Sequence, residues 1–395
     1  MEPVDLSYSG SFAAGFPHEF FNWLRQNEPV WWHQPTEHTP NGIGFWVVSR
    51  HADVVAIFKD AETYSSELGG TQIYDGKGMG YQLNQTDDPK HRRLRALVNK
   101  GFTPRTIGRL EDDLRARAKR ILDEVPSGET FNFVPAVARE LPLQAICAVL
   151  GVPQEDRAEL GDIVDLAIGA GGGATMSPQH LKRLSAYADA LVERKRHHPA
   201  DDILSIIVHA QLDDGSPQLS NMELRAFFNL LFPAGAETTR SAIAGGMLAL
   251  IENPGELGRL RGNPDLMKTA GEEIVRWTSP SVYKRRTTTR DVELRGRAIR
   301  QGQKVTVWEM SANRDEEVFT DPFRFDIARD PNFHVGFGLG AHFCLGANLA
   351  RLELKVMFEE LLGRFARFEV TGPLAWTNNN RLLGLTHLPL KAFPK

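Results

Sequence analysis

A mainly α-helical chain with a small β region, organised as a single domain over residues 1–395, is predicted by three observations. Apolar residues recur three and four apart through most of the middle of the sequence, the period of amphipathic helices. Runs rich in β-branched and aromatic residues are short and few. No internal repeat, linker or low-complexity tract divides the chain, apart from Gly169-Ala170-Gly171-Gly172-Gly173-Ala174.

Taken in order, Gly44-Phe45-Trp46-Val47-Val48-Ser49 reads as a strand and 52–58 as a short helix after it. The polar, glycine-rich stretch 67–89 is long for a structureless connection, and loops of that length often carry function. From His91 the pattern turns helical, with Leu94, Leu97 and Val98 on one face and Thr103-Pro104 ending it. Helices follow over 106–125, 133–150, 154–168, 178–197, 203–212, 221–253 and 264–277. Val292-Glu293-Leu294 and Lys304-Val305-Thr306-Val307-Trp308, beside turn residues Gly296 and Gly302, predict a small β appendage. A last helix starts at Leu345, with Leu345, Leu349, Leu352 and Val356 on one face, and the chain beyond Gly372 is irregular or β.

Basic and acidic residues nearly balance, 46 against 50, so there is no electrostatic footprint for nucleic acid. The N-terminus lacks the pattern of a signal peptide and no run of about 18 apolar residues predicts a membrane anchor, so a cytoplasmic protein is expected. Two cysteines, Cys147 in an apolar run and Cys344 in a glycine-rich one, exclude a disulfide framework.

Chemistry concentrates at Phe337-Gly338-Leu339-Gly340-Ala341-His342-Phe343-Cys344-Leu345-Gly346. Glycines at 338, 340 and 346 let backbone approach something large and flat, and a helix N-terminus just after Cys344 favours a thiolate. A lone cysteine has no companions for tetrahedral zinc, so a cofactor must complete the ligand set, and haem fits. The other histidines offer no second metal site: His33 and His38 are five apart with Pro35 between them.

This stretch matches the cysteine-loop pattern Phe-Gly-x-Gly-x-His-x-Cys-x-Gly of the cytochrome P-450 family and continues Asn348-Leu349-Ala350-Arg351 as that family does. The chain resembles the family's soluble bacterial type over nearly its whole length, most strongly across 221–369. The resemblance implies a single triangular, mostly helical fold enclosing haem b, iron protoporphyrin IX, with Cys344 as the axial iron ligand. Phe337, Gly338, Gly340 and Gly346 would line the cofactor on the same side. Ala234-Gly235-Ala236-Glu237-Thr238-Thr239 resembles the family's oxygen-binding segment. Gly235 leaves room for O2, the Thr238 hydroxyl holds a water or the oxygen ligand, and Glu237 relays protons from solvent. Pro233 is expected to loosen the helix beside them.

The family's buried Glu-x-x-Arg pair corresponds to Glu273 and Arg276, with Arg324 as its third member, all in structural support of the haem site. His91, Arg95, Arg286 and His342 are the residues that the resemblance nominates for the haem propionates. Arg92 and Arg93 read as a solvated basic face, or as a docking aid for an acidic redox partner.

The glycine run satisfies Gly-x-Gly-x-x-Ala of dinucleotide-binding folds, but 181–197 is charged and helical, so the acid-bearing strand is missing. It reads instead as a flexible connection over the substrate entrance.

The implied reaction is monooxygenation of a hydrophobic small molecule with O2, electrons coming from NAD(P)H through a reductase and a ferredoxin or flavodoxin. A peroxygenase and a haem-thiolate sensor would share Cys344. The Glu237-Thr238 pair, which a sensor does not need, favours the monooxygenase. The segments around 45–51, 65–70 and 311–319 resemble members acting on sterols, terpenoids and branched lipids, with fatty acids and macrolide or polyketide intermediates as alternatives. Leu231, Ala234 and Val282 are the candidate pocket residues, and a monomer is expected.

Overall fold

The computed structural model describes residues 1–75, 80–169 and 177–395. Most of the glycine run and part of the 67–89 stretch lie outside the described residues.

The organising element is a 32-residue helix, Asn221–Glu252, begun by a reciprocal capping box in which Ser220 and Glu223 bond each other's backbone N–H. Helices Glu140–Val149, Pro178–His197, Met267–Thr278 and Ala347–Arg364 pack around it. Phe228, Phe232, Ile243 and Met247 of the long helix share one core with Ile146, Ile274, Val356 and Phe358 from three of those neighbours. The helix runs unbroken through Pro233, so the expected loosening is absorbed without a break.

Two predicted helices are subdivided. Residues 106–125 become Pro104–Gly108, capped by the Thr103 hydroxyl, and Glu111–Asp123. The 133–150 stretch opens with a π-type turn at Val134–Ala138, with a proline at its second position, before Glu140–Val149.

The β structure corrects the predicted appendage. Lys304–Trp308 is the central strand of a five-stranded sheet, in the order Val30–His33, Phe45–Val48, Lys304–Trp308, Tyr283–Thr288, Tyr64–Ser65. Trp46 lies opposite Val305 in its one parallel pairing, and Arg286 opposite Val305 on the other side. All five residues of that strand are buried, the pattern of an interior strand. Val292–Leu294 pairs instead with Arg297–Ile299 through a two-residue turn with positive φ at both Arg295 (49°) and Gly296 (73°). The segment beyond Gly372 is partly β: Pro389–Pro394 pairs with Phe365–Val370 and with Phe131–Asn132.

Candidate functional site

Cys344 sits two residues before the N-cap, Gly346, of helix Ala347–Arg364. The loop that carries it is closed by the Cys344 N–H donating to the Phe337 carbonyl at 2.9 Å. Gly338 (φ 66°) and Gly340 (φ 69°) adopt left-handed backbone, and a Cβ on Gly340 would lie 2.5 Å from the Phe58 carbonyl oxygen, so that position accepts only glycine. A Cβ on Gly346 would meet nothing within 4 Å, which leaves open space beside the cysteine. The Cys344 side chain retains accessible surface although surrounding protein desolvates its thiol and raises its pKa, opposed by the Gly346 N–H and by Lys284 and Arg95. That combination places the sulfur on the wall of an interior space. Cys147, by contrast, is fully buried in the core, its thiol pushed up to about 12, and is inert.

Two ionic networks fix this loop. Glu273 and Arg276, both fully buried, pair at 2.7 Å, and Arg276 also donates to the carbonyls of Asn313 (2.7 Å), Pro322 (2.9 Å) and Arg324 (3.2 Å). The third member of the network is Arg329, whose Nε lies 3.3 Å from Glu273 Oε2. Arg324 contributes only its backbone carbonyl, and its side chain is exposed, which corrects the expected assignment. The second network was missed from the sequence: Glu272 accepts from both Arg351 (2.6 and 2.9 Å) and His334 (3.0 Å). It ties the helix after the cysteine and the approach to the loop onto helix Met267–Thr278. Burial alone would raise the Glu272 pKa, but these two partners lower it to about 2.

His91, Arg95, Arg286 and His342 come together as expected. The His91 and His342 rings lie 4.1 Å apart, and Arg95, in the same helix as His91, donates to the Phe343 carbonyl at 2.7 Å. Burial, then the charges of Arg286, His91 and Arg95, pull the His342 pKa to about 2, so the ring is neutral. Arg286 is almost wholly buried, with its pKa lowered to about 10, and its side chain bonds only the carbonyl of Arg285. Neither Arg95 nor Arg286 has an ion-pair partner among the described residues, and His91 Nε2 is buried with none. A buried cation left unpaired, as Arg286 is, is costly, and with half-buried Arg95 beside it the cluster fits a group bearing two carboxylates. Lys284, one strand period before Arg286, joins the same surroundings and donates to Glu309 at 2.9 Å. Alternation along the strand is the signal that could have found it.

Arg92 and Arg93 separate. Arg92 is exposed and paired with Asp88 at 2.9 Å, whereas Arg93 pairs with buried Glu223 and donates to the carbonyl of Pro217 at 3.0 Å. Arg93 is therefore a tie between helices and not a free docking cation.

On the long helix, Ala234 is exposed and Thr238 partly so, although the flanking residues Phe232, Ala236 and Glu237 are buried. Their spacing of four puts them on one face, and Leu231, a turn earlier, is buried in the main core at the end of that stripe. Thr238 Oγ1 donates to the Ala234 carbonyl at 2.8 Å. Gly235 faces Ile146, whose Cδ1 would be 3.0 Å from a Cβ there, so this glycine serves helix packing and does not open on the Ala234 side. Glu237 points elsewhere, into a small cleft lined by Arg139, Leu143, Gly161, Asp165, Ala236 and Arg240. It pairs with Arg240, which lies 3.3 Å from Asp165, itself 2.6 Å from Arg139. Burial raises the Glu237 pKa to about 7 despite Arg240. Val282 has no accessible surface and is packed in the cluster that contains Ile73, Trp308 and Leu383, which corrects its expected place in the pocket.

The residues present thus fit a large, flat, dianionic cofactor with one sulfur ligand: an accessible lone thiol, glycines beside it, and at its edge two cations without ion-pair partners, one buried and one half-buried. Among the described residues there is no group of three or more His, Cys, Asp or Glu side chains that could hold a metal by themselves, and no helix is long and apolar enough to cross a membrane.

Comparison with known proteins gives the same picture. Residues 155–391 match the Cytochrome P450 family model. The chain is 52% identical to Putative cytochrome P450 126 of Mycobacterium tuberculosis, covering 98% of this chain and 96% of that one. It is 39% identical to two further proteins of that organism, a methyl-branched lipid omega-hydroxylase (94% and 90% covered) and a steroid C26-monooxygenase (90% and 84%). The solved structure of Mycobacterium marinum cytochrome P450 CYP268A2 in complex with pseudoionone superposes with a TM-score of 0.88 at 34% identity, covering 99% of each chain. With the fold, the family match and these identities in agreement, the chain belongs to the cytochrome P450 family and is a haem-dependent monooxygenase.

Proposed function

We propose that this enzyme hydroxylates a lipid-like substrate, a methyl-branched lipid, sterol or terpenoid, using haem b held by Cys344. The observation that carries the haem assignment is the accessible Cys344 beside a cation set, Arg95 and Arg286, that has no ion-pair partner among the described residues. The names of the relatives at 39% identity support the substrate class. Haem supplies dioxygen activation and the oxidising power for C–H hydroxylation.

Everything else in the reading belongs to this chain's residues. Arg95, Arg286, His91 and His342 hold the propionates, the two imidazoles by hydrogen bonding, since His342 stays neutral. Phe337, Gly338, Gly340 and Gly346 shape the cysteine side. Thr238 spends its hydroxyl proton on the Ala234 carbonyl, so its oxygen is free to accept a hydrogen bond on the accessible side of the helix. Glu237, titrating near neutrality, can both give and take a proton at physiological pH. Its carboxyl must leave Arg240 by side-chain rotation to reach Thr238. Ala234 and Thr238, on the accessible stripe, line the substrate side, with Leu231 packed in the core at its end. The chain acts as one domain and a monomer in the cytoplasm, supplied with electrons by a ferredoxin or flavodoxin.

The test is an absorption spectrum of dithionite-reduced protein under carbon monoxide, followed by titration with branched lipids, sterols and terpenoids for the substrate-induced Soret shift. A thiolate-type carbonyl band that disappears in Cys344→Ala is expected, and its persistence in that variant would overturn the ligand assignment. The tightest Soret shift should fall among the three named substrate classes, and a tighter response to fatty acids or macrolides would replace them.

A further inference from the structure

Strand Tyr283–Thr288 turns Lys284 and Arg286 to the same face, two residues apart. Arg286, like Arg95, has no ion-pair partner among the described residues, but Lys284 does. Its Nζ donates to Glu309 Oε2 at 2.9 Å and to the Ser281 hydroxyl. Glu309 opens the short helix Glu309–Ala312, directly after the central strand Lys304–Trp308 of the sheet. Asn313, at the end of that helix, accepts the Val335 N–H at 2.8 Å through its side chain, so the turn is fastened to the approach of the cysteine loop.

The two halves of the pair differ in their surroundings. The Glu309 side chain has no accessible surface, whereas that of Lys284 keeps 28% of its own. Glu309 Oε1 is buried and accepts no hydrogen bond, and a Cβ on Gly338 would lie 3.9 Å from it, so a carboxylate is packed beside the loop that carries Cys344. Both charges reach the thiol. Burial raises the Cys344 pKa, Lys284 works against the rise, and Glu309 adds to it. At Arg286, whose pKa burial lowers, Glu309 is the foremost opposing charge. The pair is neutral as a whole, which leaves Arg95 and Arg286 for the two propionates. A buried ion pair is often no more stabilising than apolar side chains of the same volume, so stability alone does not account for one at this place.

We propose that Glu309 is a positioning residue that ties back the Lys284 ammonium beside the cofactor, and that the pair sets the reduction potential of the haem iron. A nearby cation favours an electron on the iron and a nearby anion disfavours it. With Glu309 in place the ammonium is balanced. Without it an unopposed cation stands beside the cofactor, and reduction becomes easier. This rests on the reading of Cys344 as the ligand of a haem.

The test is the midpoint potential of the substrate-free holoenzyme, read from the Soret band during a dithionite titration with redox mediators. Wild type, Glu309→Gln, Lys284→Met and the double variant are compared. Glu309→Gln should raise the one-electron equilibrium constant for reduction by about tenfold, which is about 59 mV. Lys284→Met should lower it by about as much, because the Glu309 carboxylate keeps Arg286 as an opposing charge. The double variant, neutral again, should return to within about twofold of wild type. A single-variant shift that persists in the double, shifts of one sign in both singles, or no shift in either overturns the proposal. If Glu309→Gln does not retain haem, Lys284→Met and the double variant decide on the same terms, since the double leaves neither charge of the pair behind. Wild-type protein whose reduced form gives no thiolate-type carbonyl band would overturn the haem reading instead, so the two failures are distinguishable.

Discussion

Glu273→Gln is the most informative single change for the scaffold of the site, because it keeps the shape of the side chain and reverses one atom's chemistry. Glu273 Oε1 accepts from Arg276 Nη2 (2.8 Å) and the Asp326 N–H (2.9 Å), while Oε2 accepts from Arg276 Nε (2.7 Å) and Asn332 Nδ2 (3.1 Å), with Arg329 Nε at 3.3 Å. Whichever way the amide is turned, its NH2 faces at least two donors, and Arg276 loses its counter-charge in a site with no exposure. Two hydrogen bonds to a charged group are worth about 1.5–3 kcal/mol each. Breaking a buried pair from one side costs about 3–5 kcal/mol, and the two estimates agree. The urea midpoint, followed in parallel by tryptophan emission and Soret absorbance, should fall accordingly, with roughly a hundredfold or larger drop in the folded-to-unfolded ratio. Arg329→Ala should be clearly destabilising, since Arg329 also donates to the Thr320 carbonyl at 2.8 Å, whereas Arg324→Ala should stay within about 0.5 kcal/mol. A cost under about 1 kcal/mol for Glu273→Gln, or equal costs at 324 and 329, would refute the reasoning.

Glu272, held at about 2 from an ordinary 4.5, contributes stability that is complete above pH 4.5 and lost as pH falls towards 2. The loss is about 3 kcal/mol, and urea titrations across that window should show it in wild type and not in Glu272→Gln. Glu237 has the opposite sign: with its pKa raised to about 7, the folded state holds the proton more tightly, so stability falls as pH rises from 4.5 to 7. Glu237→Gln should remove that slope, again about 3 kcal/mol, and identical slopes would place the carboxyl in a wetter site. Thr238→Ala should uncouple NAD(P)H consumption from product formation and release peroxide, measured with a reconstituted ferredoxin system, and unchanged coupling would remove the hydroxyl from proton handling.

What could be read from the sequence follows from how far apart the parts of each feature lie. The cysteine loop is contiguous, its glycines are demanded by the backbone at 338 and 340, and its thiol has no nearby competitor, so ten residues carried the argument. The sheet was misjudged because its central pairing joins Trp46 to Val305, and a run of five buried residues looks the same whether it is an appendage or an interior strand. Arg324 and Arg329 lie five apart in a segment without regular periodicity, where nothing local says which guanidinium turns inward. Packing decides it, by bringing Glu273 against Arg329. Glu237 and Thr238 are neighbours in sequence and yet belong to different faces of the helix, one in an ionic cleft and the other on the accessible stripe.

The same distinction explains why the cofactor chemistry is easier to assign than the substrate. The parts that serve the cofactor answer to one fixed shape and charge, so they recur as short patterns. The residue that the structure leaves open on the long helix, Ala234, is an ordinary small apolar residue with no pattern of its own, whereas the equally apolar Val282 turns out to be closed in the core. Two relatives at the same 39% identity carry names for different substrates, a branched lipid and a steroid, so identity over the whole chain does not rank substrates.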